Sequence, residues 1–189
     1  MTEKKLDRRI RKTRALLLNG LIELLKKKDI KDISVKELTN LADLNRGTFY
    51  LHYNDIHDMI HKIEDELFVE FEGILDRNID KNDGFCSPEK TILDIFTFLE
   101  NNRDFAKVMM GEHGDLAFVN RLKSLVENRL QSCLLHYDDG EKYSYYPPFI
   151  ISGFIGIIET WLYSPNPESA QEMSGICAGI LKTSIFPAD

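Results

Sequence analysis

Residues 33–53 constrain this chain more than any other stretch. Ser34-Val35-Lys36-Glu37 has the spacing of a capping box: the Ser34 hydroxyl can accept from the Glu37 backbone N–H while the Glu37 side chain reaches back. That spacing predicts a helix from residue 35 to about 42. Asp43-Leu44-Asn45 reads as a turn, and Asn45 can cap a second short helix, from residue 46 to about 51, through the Thr48 N–H. Two short helices joined this tightly leave few folds open. The second one gathers Arg46, Thr48, Tyr50 and His52, side chains suited to phosphate oxygens and base edges. A helix held in this way fits a DNA major groove, where the base pairs are distinguishable.

The charge distribution agrees. The net charge of -7 by itself disfavours a polyanionic partner. Residues 1–53, however, hold 13 Lys and Arg against 7 Asp and Glu, a surplus of +6, which leaves -13 for the remainder. A basic head on an acidic body binds phosphate at one end and discourages docking at the other. The expected division is a DNA-binding head over residues 1–54 and a body over 55–189 that pairs two such heads; the resemblance given below implies that this body is the effector-binding and dimerisation domain.

Other classes find little support. A hydrophobic fraction of 43% argues for a packed core over disorder. Cys86, Cys133 and Cys177 are far apart and odd in number, with no CxxC pair, so neither a zinc site nor a disulfide framework is indicated. His57 and His61 are spaced as ligands on one helix face, but no third ligand accompanies them, and no metal or cofactor is expected. The first residues are basic and polar, unlike a signal peptide, and the most apolar run, 147–162, contains Ser152, Glu159 and Thr160. A cytoplasmic protein without membrane contact is expected. There is no nucleophile elbow, phosphate-binding glycine loop, metal box or paired-carboxylate motif, so no enzymatic activity is expected.

Helical periodicity recurs along the chain and strand signals are weak, which predicts an all-α fold. A first helix beginning near Asp7 or Arg8 carries Leu17, Leu18, Leu21 and Leu25, expected to pack with Val35, Leu38, Leu41, Leu44 and Phe49. Ile56, Ile60, Ile63, Leu67, Phe71 and Ile74 mark a long amphipathic helix. Loops are expected at 81–87 and 136–146, with short helices between. Residues 147–163 are apolar nearly all round, so a helix there needs covering on two sides.

Gly175 and Gly179 lie one turn apart in the last helix, where each costs about 1 kcal/mol relative to alanine and permits close helix approach. These features predict a homodimer through the last two helices, with Phe154, Ile158, Trp161, Gly175, Ile176, Gly179 and Ile180 at the interface. An effector pocket within the body would draw on Phe96, Phe105, Met109, His113, Phe149, Phe154 and Trp161, although aromatics at helical spacing are most often plain core. Glu159, a carboxylate in an apolar helix, can face a cationic ligand, the partner subunit or solvent.

With these residues in view, the sequence resembles the TetR family of transcriptional regulators. The resemblance rests on residues 17–60, above all Arg46-Gly47-Thr48-Phe49-Tyr50-Leu51-His52-Tyr53 after a capped helix; residues 110–118 are similar, more weakly, to a segment of some members. It implies an all-α homodimer with three-helix DNA heads, reading a near-palindromic double-stranded operator and releasing it when a small-molecule or protein effector binds the body. A repressor is the expectation; an activator, or a regulator controlled by a partner protein, is the alternative. Asp43 stands where the family commonly has glycine, and Asn54 and Ile56 where lysines are frequent. Arg46 is expected on guanine or phosphate, Thr48 on a base edge or its own cap, and Leu51 on a thymine methyl. Tyr50 and His52 suit phosphates, and Ser34 and Lys36 reach the backbone at the first helix start. Asn45 caps, Gly47 permits close approach, and Phe49 and Tyr53 are core.

Overall fold

The computed structural model describes residues 3–77, 88–134 and 145–184. All regular structure among them is helical: α1 (Glu3–Leu25), a 3-10 turn (Ile30–Asp32), α2 (Val35–Leu41), α3 (Arg46–Tyr50), α4 (Ile56–Arg77), α5 (Pro88–Asn101), α6 (Arg103–Met109), α7 (Leu116–Leu134), α8 (Tyr146–Tyr163) and α9 (Ala170–Ser184). The fold is the all-α one expected. Helix α1 starts earlier than the sequence reading put it, because residues 3–14 contain neither Gly nor Pro and are rich in Lys and Arg, good helix formers. The expected loop at 81–87 lies outside the described residues, as does nearly all of 136–146. So does Cys86.

The chain forms two compact units. The first is residues 1–66 with 111–115; the second is 67–110 with 116–189, so the division between these units falls inside α4. In the first unit Leu17, Leu21, Leu25, Leu38, Phe49, Met59 and Ile60 are at most 2% exposed. Helices α1 and α2 approach closely at Gly20, where an added Cβ would lie 3.0 Å from Leu38 Cδ1. Helix α2 turns Leu38, Thr39 and Ala42 inward, and the Thr39 hydroxyl is satisfied by donating to Val35 O at 2.8 Å. Leu41, expected in this core, is exposed, because it projects from the side of that stripe.

In the second unit α9 packs along α5, and α8 packs on α6 and α7. Ile92, Phe96, Trp161, Leu162, Met173 and Cys177 form one core, and Phe71, Ile74, Leu75 and Phe98 a second. Arg103 Nη2 donates to the carbonyls of Trp161 and Leu162, both at 2.8 Å, satisfying the end of α8, while its guanidinium lies 4.5 Å above the Trp161 ring. Helix α9 opens on a reciprocal pair: Ser169 N donates to Glu172 Oε2 at 2.8 Å and Glu172 N to Ser169 Oγ at 3.3 Å. Burial pushes the Cys177 thiol up to about 11, so it stays protonated at neutral pH. No described helix is long and apolar enough to cross a membrane.

Candidate nucleic-acid interface

The start of α2 is built as its sequence dictates. Glu37 N donates to Ser34 Oγ at 3.2 Å, and Ser34 N donates to Glu37 Oε2 at 3.4 Å. Lys28 Nζ also donates to Glu37 at 2.6 Å; this contact, then the Ser34 amide, holds the Glu37 carboxyl below the usual range. Ser34 and Lys36 are exposed beside this cap.

The turn depends on a left-handed residue. Asp43 has φ 52°, a conformation that Asp tolerates better than most side chains and that glycine would supply most easily. Asn45 Oδ1 then accepts from Gly47 N at 2.8 Å, while the Thr48 N–H bonds the Asn45 main-chain carbonyl. The cap therefore closes one residue earlier than the Thr48 bond predicted from the sequence. A Cβ on Gly47 would come within 3.3 Å of that oxygen, so the cap itself favours glycine there.

Helix α3 shows two faces. Phe49 is fully buried and Tyr53 nearly so, with rings 5.6 Å apart. Opposite them Arg46, Gly47, Tyr50 and Leu51 are exposed, Leu51 to 80%, and Thr48 and His52 are half-buried. Lys62 Nζ donates to His52 O at 3.3 Å and to Asp58 Oδ2 at 2.9 Å, tying the exit of α3 to α4. From α1, Arg14 Nε donates to the Tyr53 hydroxyl at 3.2 Å, and Arg14 also pairs with Glu66. Arg14 is thus occupied with framing α3. Among the other basic groups of α1 whose burial is described, Arg8, Arg9, Arg11 and Lys12 are exposed.

At the start of α4, Asp58 N donates to Asp55 Oδ1 and Asn54 N to Asp58 Oδ2, each at 2.8 Å. These carboxylates take the amides that a phosphate would otherwise use. His57 and His61 are exposed, His61 Nδ1 lies 3.3 Å from Glu64 Oε2, and no group of three metal-ligating side chains occurs among the described residues.

The second unit contains a cavity of about 270 Å³, bounded by α4 to α9. Of the residues expected in an effector pocket, Phe105, Met109 and Phe154 line it. Phe96 and Trp161 do not: they meet edge to face at 5.2 Å in the core, and Trp161 Nε1 is spent on Glu168 O at 2.7 Å. Phe149 is 64% exposed. His113 lies in the first unit, where its Nδ1 is 2.6 Å from Asp29 Oδ1. The sequence reading missed Phe98, Lys123, Arg129 and Ile151, which line the cavity. Val119, Leu122, Val126 and Leu130 of α7, spaced three and four apart, also face it.

The expected interface residues separate too. Trp161 is buried, and Phe154 and Ile158 face the cavity, because the Phe96 cluster draws that side of α8 inward. Gly175, Ile176, Gly179 and Ile180 are exposed on α9. The outward residues of α8 are Pro148, Phe149, Ser152, Gly153, Gly156, Glu159, Thr160 and Tyr163, so Glu159 does not face the cavity.

Comparison with known proteins agrees with this architecture. Residues 87–183, about half of the chain, match the model of the transcriptional regulator C-terminal region of TetR type. The chain is 30% identical over 104 residues to an uncharacterized HTH-type transcriptional regulator, YxbF, of Bacillus subtilis (strain 168); the match covers 51% of this chain and 26% of that relative, so about a quarter of its length is spanned. The fold is similar to a TetR transcriptional regulator of Streptococcus agalactiae 2603V, with a TM-score of 0.56 and 22% identity over 95% of this chain and 99% of that one. It is also similar to a transcriptional regulator of Aquifex aeolicus VF5, with a TM-score of 0.63 and 16% identity over 90% of this chain and 98% of the other. The capped helix pair and the matched C-terminal region together establish that the chain belongs to the TetR family of transcriptional regulators.

Proposed function

We propose that this protein works in the cytoplasm as a homodimer whose two α3 helices read a near-palindromic DNA operator, and that it represses until a small molecule fills the second unit's cavity. The observation that carries the DNA reading is the outer face of α3: Arg46, Tyr50 and Leu51 project outward while Phe49 is fully buried beneath them. Arg46 can offer a bidentate contact to guanine, Leu51 an apolar contact to a thymine methyl, and Tyr50 a phenol to phosphate. Ser34 and Lys36 at the start of α2 add backbone contacts, helped by the positive end of that helix. Gly47, without a side chain, leaves room for the duplex beside them.

The test is selection from a random pool of duplexes, followed by titration of the enriched sequence. A near-palindromic site should emerge, with affinity falling steeply as salt rises. Arg46→Ala should weaken it by about 5–150-fold per contacted head, the range of about 1–3 kcal/mol for one bidentate base contact. Tyr50→Phe should weaken all sequences alike. A pool that yields no preferred duplex, or a folded double variant binding like the parent, would overturn the assignment. The small-molecule part requires a ligand that enters the cavity and lowers operator affinity; release only by another protein would favour the partner-protein alternative.

A further inference from the structure

The walls of the second unit's cavity restrict the chemistry of what can fill it. Among the described residues that line it, four carry polar side chains: Thr91, Asn102, Lys123 and Arg129. Asn102 uses its Nδ2 on Phe98 O at 2.9 Å. Among the described residues no Asp or Glu lines the cavity, and the two charged groups, Lys123 and Arg129, are both cations on α7. Arg129 Nη2 pairs with the Asp76 carboxylate, but Arg129 Nε is buried and has no hydrogen-bond partner. Lys123 is half-buried and makes no ion pair with a described residue.

These facts separate three ligand classes. An organic cation would meet the Lys123 charge and an Arg129 guanidinium whose one described counter-charge, Asp76, is already paired and does not line the cavity. A neutral hydrocarbon would fill the walls and leave the Arg129 Nε–H buried without an acceptor, a costly state for a donor on a charged group. A molecule with an apolar body and one carboxylate meets both demands. We propose that the cavity binds a lipophilic carboxylate, its hydrocarbon among Phe71, Phe98 and Phe154 and its carboxylate accepting from Arg129 Nε, with Lys123 adding a second positive charge. The cavity volume of about 270 Å³ favours a medium chain, since pockets for drug-sized ligands start near about 300 Å³. This inference rests on reading the cavity as the effector site.

The experiment titrates the full-length protein with three probes of equal chain length: decanoate, decanol and decyltrimethylammonium. Decanoate should bind more than about tenfold tighter than decanol, and the ammonium probe most weakly. Octanoate should bind about 15-fold more weakly than decanoate, from about 0.8 kcal/mol for each buried methylene lost. Arg129→Gln should erase most of the preference of decanoate over decanol. Should that variant fail to fold, Lys123→Gln must shrink the same preference. Equal binding of the three probes, no submillimolar binding by any, or a preference that survives both substitutions would overturn the proposal. Repeating the titration with operator DNA present separates this proposal from the effector reading. Decanoate that binds as expected and leaves operator affinity unchanged upholds the ligand class and sinks the effector role. Decanol that binds best and releases DNA does the reverse.

Discussion

His113 Nδ1 lies 2.6 Å from Asp29 Oδ1, fixing the turn between α6 and α7 onto the segment that follows α1, within the first unit. His113, and after it Lys31, hold the Asp29 carboxyl below its usual range. A depressed carboxyl contributes stability that is present above its unfolded value, about 3.9, and is lost as pH falls through the lower folded one. Asp29→Asn should therefore destabilise the protein at neutral pH, and its deficit should close as pH drops below about 4. Urea unfolding at several pH values measures this. His113→Ala should speed amide exchange in residues 111–115; unchanged exchange would show that the pair does not hold the turn.

Glu64 has the opposite sign. It is 5% exposed, its Oε1 has no hydrogen-bond partner, and its neighbours include His61, Asp65 and Asp115. Burial first, and then the Asp115 charge, raise its carboxyl above the ordinary value, with His61 opposing. A raised carboxyl costs stability above its folded value, and the cost disappears below about 4.3, the unfolded value. Glu64→Met should stabilise the protein at neutral pH by about 1–3 kcal/mol, the range for relieving an unsatisfied buried group. The gain should vanish in acid. A loss at neutral pH would mean that the carboxylate is held by a contact the geometry does not reveal.

The head was legible because its signals are local. Ser34 with Glu37, Asp43 in the turn and the Phe49–Tyr53 spacing each act within a few residues, and the structure shows the capping box, the positive φ and the buried pair. The body was legible only as helices. Which side of α8 faces inward depends on Phe96 of α5, Arg103 of α6 and Met173 of α9, contacts far apart in sequence. An all-round apolar helix has no pattern that reveals its inner side, so Trp161 was as plausible outside as inside. Asp29 and His113 are 84 residues apart, and nothing local to either announces the pair.

Arg103 closes α8 in a way lysine cannot. Its Nη2 serves two carbonyls while the guanidinium plane stacks on Trp161. Arg103→Lys should cost about 1.5–3 kcal/mol, the worth of one hydrogen bond to a charged group. Thermal unfolding, together with the near-ultraviolet signal of the single tryptophan, measures both effects. A lysine variant equal to the parent would show that one donor suffices.

The α9 residues expected at the interface are exposed together with the outward face of α8, and they give a direct test of dimerisation. Phe149 and Tyr163 are 64% and 56% exposed, and Ile176 and Ile180 are 47% and 45% exposed. An added Cβ at Gly153, Gly156, Gly175 or Gly179 would meet no atom within 4 Å. Within one protomer the Cβ that Gly179→Leu adds meets open space, and the change should gain about 1 kcal/mol of helix propensity. Across a close helix–helix interface the same side chain would force the subunits apart. Isoleucines buried there contribute about 1.5–3 kcal/mol each, so Ile176→Lys with Ile180→Lys should raise the dimer Kd at least about a thousandfold. Sedimentation should show monomers for Gly179→Leu and for the double lysine variant, both still helical, and operator affinity should fall with them because each head then binds alone. A Gly179→Leu protein that is more stable and still dimeric would place the interface elsewhere.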